Sequence, residues 1–196
     1  FWFDHVSNMK SWCDQLSVLK KMIESADTIV AHNLKYDMTV LRNYNISFEK
    51  QELWCTMVTE YLLSGQDREV SVSLDSVADS YGIGRKHDKV QGFWDQGIET
   101  YNIPRDILDE YVRHDCHLAL EIYKKQLKNP DYVEIQKIHK LQMEFQLSLS
   151  DMELYGFKFD VEKAQEMVND LDKQMNDMQS ELKEIFKDPH INTGSS

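Results

Sequence analysis

Long apolar runs are missing from this sequence. None approaches the roughly 20 residues that a helix needs to cross a bilayer, so a soluble chain with no membrane partner is expected. Cysteine is scarce. Cys13, Cys55 and Cys116 are odd in number and far apart, which suits a reducing cytosol and gives neither a disulfide framework nor a zinc pattern. Basic residues are in short supply: 22 Lys and Arg face 34 Asp and Glu, for a net charge of −12. That excludes a general electrostatic grip on nucleic acid, which needs clustered cations. An acidic domain can still act on a phosphodiester if divalent cations bridge its carboxylates to the phosphate. The charge therefore demands metals, or a basic partner region outside these residues. Internal repeats and low-complexity stretches are absent, and no signal-peptide pattern opens the chain. It opens on Phe1-Trp2-Phe3, which reads as the middle of a strand, so a piece of something longer is expected.

What is present is ordinary for a globular protein: 196 residues, 41% hydrophobic and 29% charged, enough for one or two domains and a sizeable core. Met9 to Ser25 has helical spacing at Trp12, Leu16, Leu19, Met22 and Ile23. Thr28 to Ala31 is a short apolar run fit for a buried strand. Asn33 then stands as the N-cap of a helix from Leu34 to about Asn43. Glu52 to Thr56 predicts a second strand, followed by a short helix to Leu63, and Ser73 to Tyr81 predicts another helix closed by Gly82 and Gly84. Arg85 to Asn102 has weak periodicity and reads as a surface excursion. Pro104 starts a strong helix that runs to about Leu127, where Asn129-Pro130 breaks it. Tyr132 to Leu154 is helical again. From Val161 a heptad stripe runs through Ala164, Val168, Leu171, Met175, Met178, Leu182 and Ile185 until Pro189. That stripe reads as a self-associating coiled coil or, preferably, as a face packed on a neighbouring helix or domain. Strands come early and alternate with helices, and the second half is nearly all helix. The pattern is an α/β unit with a helical extension.

The chemistry concentrates in two places. On the helix after Pro104, Leu108, Tyr111, Asp115, Leu118 and Ile122 fall on one stripe. A bare carboxylate on a core-facing stripe costs several kcal/mol or so unless something pairs with it. A metal ion is an economical partner, and Tyr111 one turn away could hold a water beside it. The plain alternative is a helix edge with a solvated Asp. The second place is His32-Asn33-Leu34-Lys35-Tyr36-Asp37 at a strand-to-helix junction, the end of an open α/β sheet where ligands usually bind. Asp37 in a first turn also gains from the helix dipole without any function.

Together these segments resemble a known family. Asn33-x-x-Tyr36-Asp37 resembles the second exonuclease motif of the DEDD-type 3′–5′ exonucleases, and Tyr111-x-x-x-Asp115 their third motif in its tyrosine variant. Glu110 stands where the histidine variant would carry its histidine. Leu53 to Met57, Glu60 to Leu63, Leu74 to Ala78 with Tyr81-Gly82, and Trp94 with Ile103-Pro104 are similar to the proofreading domain of phage-type family A DNA polymerases. Met152 to Gly156 with Asp160, and Ile191 to Ser196, resemble the passage into the polymerase region. The resemblance implies an RNase H-like α/β exonuclease domain over residues 1–128, lacking its first strands. Residues 129–196 would be a helical linker and the start of the polymerase domain. It implies two divalent ions (Mg²⁺ or Mn²⁺), with Asp37 and Asp115 as metal ligands and Tyr111 orienting the attacking water. Asn33 would sit near the terminal nucleotide or brace the site. The substrate would be a single-stranded 3′ end of DNA, the cis partner a polymerase domain, and the setting the host cytoplasm of a bacteriophage.

One motif departs from the family pattern. The Asp-x-Glu of the first strand does not occur ahead of Thr28. Asp67-Arg-Glu69, Asp151-Met-Glu153 and Asp160-Val-Glu162 have the spacing but follow the second motif, in a loop, a helix and a helix start. The expectation is that the missing strand lies upstream of Phe1 and that residues 1–196 alone do not cut DNA. Two other metal-site classes fit the sequence less well. His87-Asp88 and His114-Asp115 spell the pair of the HD phosphohydrolases, but that fold is all helical and Thr28 to Ala31 is not. Cys116 and His117 have no second pair to complete a zinc tetrahedron. A non-catalytic helical scaffold has no use for Asp115 on an apolar stripe. Trp2, Trp12, Trp54 and Trp94 read as packing rather than base-stacking residues, with Trp94 the one to watch because its surroundings are irregular.

Overall fold

A computed structural model of the chain describes residues 12–84 and 89–187. The readings on Phe1 to Phe3, His87-Asp88, Pro189 and Ile191 to Ser196 lie outside the described residues, as do the side chains of Trp12 and Cys13. The chain divides into two compact units, Phe1–Tyr155 and Gly156–Ser196.

The first unit is built around one strand–helix–strand step. Helix α1 (Trp12–Ser25) leads to β1 (Thr28–Ala31), α2 (Leu34–Arg42) and β2 (Glu52–Cys55). The strands pair parallel, with Thr28 opposite Glu52 and Ala31 opposite Cys55. Parallel strands need a crossover, and α2 supplies it. The expected buried strand is partly exposed at all four β1 positions. Among the described residues β1 pairs only with β2, so one of its edges lacks a strand neighbour. The remaining elements are α3 (Thr56–Leu63), α4 (Leu74–Ser80), α5 (Gln91–Trp94), α6 (Arg105–Gln126) and α7 (Tyr132–Tyr155). The excursion after Gly84 therefore holds a short helix and a 3₁₀ turn at Thr100–Asn102, too brief to show as periodicity.

The main core joins Ile23 of α1, Leu34 and Met38 of α2, Ile46, Phe48, Leu53 and Cys55 with Met143 of α7. Met22, on the expected apolar face of α1, is exposed instead. A second cluster sets Val77 and Ala78 of α4 against Leu118 and Ile122 of α6. A third sets Val90 and Ile103 of the excursion against Leu108, with Phe93 and Tyr111 packed on it. Trp54 is buried in β2, and its indole N–H donates to Gln126 Oε1 at 3.0 Å. Gln126 Nε2 donates in turn to the Thr56 carbonyl and to Glu60 Oε2, both at 2.9 Å. This buried side chain joins β2, α3 and α6, and each polar atom finds the partner that burial demands. No helix among the described residues is long and apolar enough to cross a membrane.

The second unit contains α8 (Val161–Phe186), whose N-cap Asp160 accepts from Lys163 N–H at 3.0 Å. Lys187 closes it in the left-handed region at φ 51°.

Candidate active site

The carboxyl ends of β1 and β2 open into the first turns of α2 and α3. His32 Nδ1 meets Thr56 Oγ1 at 2.9 Å, which ties the two strand-to-helix junctions together. Asn33 lies between them in the left-handed region, φ 63° and ψ 46°. Asn tolerates that conformation better than most residues. It occupies the N-cap position as predicted, but its side chain makes no capping hydrogen bond. The reason is geometric: a capping side chain needs the extended backbone that Ser73 shows ahead of α4, where its oxygen accepts from Ser76 N–H. Asn33 and Tyr36 are both exposed.

Asp37 lies one turn into α2. It keeps contact with solvent, yet the protein packed around the carboxyl pushes it up from 3.8 to about 6, against the pull of its backbone N–H. The helix is held from behind by α7. Arg42 pairs with Asp151 at 2.9 Å and donates to the Leu147 carbonyl at 3.0 Å; Lys35 pairs with Glu153. Thr39 Oγ1 reaches Ser150 Oγ at 3.1 Å. Asp151 and Glu153, one of the alternative Asp-x-Glu pairs, are thus engaged with α2 side chains. Asp67 accepts from Glu69 N–H within its own turn, and Asp160 caps α8.

Helix α6 packs along β1. Its stripe runs as the periodicity predicts: Leu108, Leu118 and Ile122 are buried, Tyr111 and Asp115 half-buried, and the Asp115 Oδ1 atom is shielded from water. Cys116, next on the helix, reports what surrounds it. Its thiol is pushed up by partial desolvation first, then by the negative charges of Asp115 and of Asp37. Carboxylates from distant parts of the chain thus act in the same direction on this thiol. As donors they suit a hard divalent cation such as Mg²⁺ or Mn²⁺. Among the described residues no group of three or more His, Cys, Asp or Glu side chains is assembled to hold a metal.

Tyr111 has a neighbour that spacing could not reveal. Trp94 of α5 stands edge-on to its ring, centroids 6.0 Å apart and planes at 85°. Trp54, by contrast, packs among Tyr123, Tyr132 and His139 in the interior. A cavity of about 700 Å³ between β2 and α7 is lined by Phe48, Trp54, Tyr132, His139 and Met143 and includes none of Asp37, Tyr111 and Asp115.

A model of the 3′–5′ exonuclease family matches residues 2–129. The chain belongs to that family. Exonuclease domains of this family generally use divalent metal ions. The exonuclease match and the parallel strand–helix–strand unit agree with the RNase H-like α/β fold expected above. The chain is also similar to the DNA polymerase DpoZ of Salmonella phage PMBT28, 23% identical over 181 residues, covering 85% of this chain and 28% of that protein. The DNA polymerase DpoZ of Acinetobacter phage SH-Ab 15497 is 22% identical over 178 residues, with the same coverage of both chains. This exonuclease chain thus spans about 28% of the length of the curated relatives it matches.

Proposed function

We propose that this chain is the proofreading 3′–5′ exonuclease part of a phage family A DNA polymerase, acting in the host cytoplasm on a single-stranded 3′ end. Residues 1–128 form the exonuclease domain, and residues 129–196 lead into a polymerase domain in cis. The family match ending at residue 129 and the two phage DNA polymerases support this. The observation that carries the reading is placement: Asp37 lies in the first turn of α2 just past β1, and α6, with the shielded Asp115 Oδ1, packs along that same strand.

Asp37 and Asp115 would hold the metals as carboxylate ligands, with Tyr111 one turn before Asp115 on α6. Two Mg²⁺ or Mn²⁺ ions would polarise a water and neutralise charge on the scissile phosphate and the leaving 3′ oxygen. Tyr111, one turn before Asp115, orients that water through its hydroxyl. Asn33 presents its amide at the carboxyl end of β1, where the terminal nucleotide enters. An acidic site of this kind binds a polyanion only with its cations in place, which matches the net charge of −12.

In the full-length polymerase, Asp115→Ala is expected to abolish removal of 3′ nucleotides while leaving nucleotide incorporation largely intact. The loss exceeds the roughly 10–100-fold that removal of an outer-sphere partner costs. Equal loss of both activities would sink the assignment. Residues 1–196 alone are expected to show negligible Mg²⁺-dependent cleavage, because no Asp-x-Glu stands ahead of β1.

A further inference from the structure

Tyr111 is braced by the excursion between α4 and α6. Trp94 approaches it edge-to-face, the favoured arrangement for two aromatic rings. The indole is itself held, since its N–H donates to Thr100 Oγ1 at 3.0 Å. The backbone closes around it: Gly97 N–H donates to the Trp94 carbonyl at 2.8 Å, with Gly97 at φ 72°, where a side chain would be strained. Beneath the pair, Val90, Ile103 and Leu108 form a buried cluster on which Phe93 and Tyr111 pack. Lys89 reaches Glu110, the residue before Tyr111, at 3.0 Å. The excursion is therefore anchored to the turn of α6 that leads into the tyrosine, and Trp94 itself remains 38% exposed.

We infer that Trp94 is a positioning residue for the Tyr111 phenol, acting through the edge-to-face contact that the Trp94–Thr100 hydrogen bond sets. A tyrosine on a helix has two populated χ1 rotamers. An aromatic neighbour in this geometry shifts such a balance by a factor of roughly two to ten. A hydroxyl that orients a nucleophilic water must stay in one place, because small misplacements cost rate steeply. Trp94 touches the tyrosine, not the reacting atoms.

This inference rests on the exonuclease reading, so the test first establishes in the full-length protein that Asp115→Ala abolishes exonuclease. Removal of the 3′ nucleotide from a single-stranded oligonucleotide with Mg²⁺ is then followed in a double-mutant cycle. Trp94→Leu is expected to lower kcat about tenfold with KM within about twofold, and Trp94→Phe to recover most of it. In a Tyr111→Phe background, Trp94→Leu should cost less than about twofold, since the hydroxyl it serves is gone. Thr100→Val, which frees the indole but keeps the apolar packing, should lower kcat about threefold. Independently of activity, 3-fluorotyrosine at position 111 should give a shifted, broadened ¹⁹F line in Trp94→Leu. A raised KM at unchanged kcat would make the indole a base-stacking surface and overturn the proposal. So would an undiminished effect of Trp94→Leu in the Tyr111→Phe background, or a ¹⁹F line that does not move.

Discussion

At the scale of single residues, Asp37 shows how a surface carboxylate becomes a candidate ligand. Its neighbours exclude enough water to push it up to about 6, so the ionised form is disfavoured when no cation is near. The sign follows directly. Its folded value lies above its unfolded one, so its stabilising contribution is present at low pH and lost as pH rises through about 6. Asp37→Asn should therefore stabilise the metal-free protein at pH 8 and change little at about pH 3, below both values, as urea denaturation would reveal. The same shift governs metal binding. Below about pH 6, protons compete for the carboxylate and Mn²⁺ affinity should fall by up to roughly tenfold per pH unit. Titration calorimetry showing an affinity flat from pH 7 to 5 would remove Asp37 from the donor set.

At the scale of elements, the position of α6 against β2 and α3 depends on one buried amide. Gln126 satisfies the Trp54 indole N–H, the Thr56 carbonyl and Glu60. Gln126→Leu keeps the volume but leaves a buried donor and a buried acceptor unpaired, at about 1–3 kcal/mol each. A loss of about 2–4 kcal/mol in unfolding free energy is expected, with part of it recovered when Trp54→Phe removes the orphaned donor. A loss below about 0.5 kcal/mol would show that water reaches these groups. Because α6 carries Tyr111 and Asp115, the same variant should weaken any activity more than its global stability alone accounts for.

At the scale of the whole molecule, acid resistance turns on a buried histidine outside the candidate metal ligands. His139 of α7 is buried beside Trp54, with Nε2 3.0 Å from Thr59 Oγ1 and Nδ1 3.3 Å from the Tyr132 hydroxyl. Burial lowers it from 6.5 to about 4. Between those values the unfolded chain binds a proton that the folded chain refuses, so stability falls as pH falls. About 2 kcal/mol should be lost between pH 7.5 and pH 5. His139→Gln, which cannot charge, should flatten that slope, as chemical denaturation at the two pH values would show. Asp37 works in the opposite direction over part of the same range, so the two variants should tilt the pH profile oppositely.

Local pattern accounts for what was legible in the sequence. The stripe from Leu108 to Ile122, the short run Thr28 to Ala31 and the break at Asn129-Pro130 each depend on neighbours within a turn or a strand. Periodicity records those neighbours, and the elements fall within a residue or two of expectation. The motif spacings likewise put Asp37 in a first turn and Tyr111 one turn before Asp115. The rest rests on contacts between residues distant in the chain. Asn33 takes a left-handed backbone where a capping side chain was expected, Trp94 meets Tyr111 across an excursion without period, and α6 carries Asp115 along β1, the strand that leads to Asp37. Composition and spacing determined which side chains could do the chemistry; packing alone decided which of them meet, because burial and distance are properties of the folded chain.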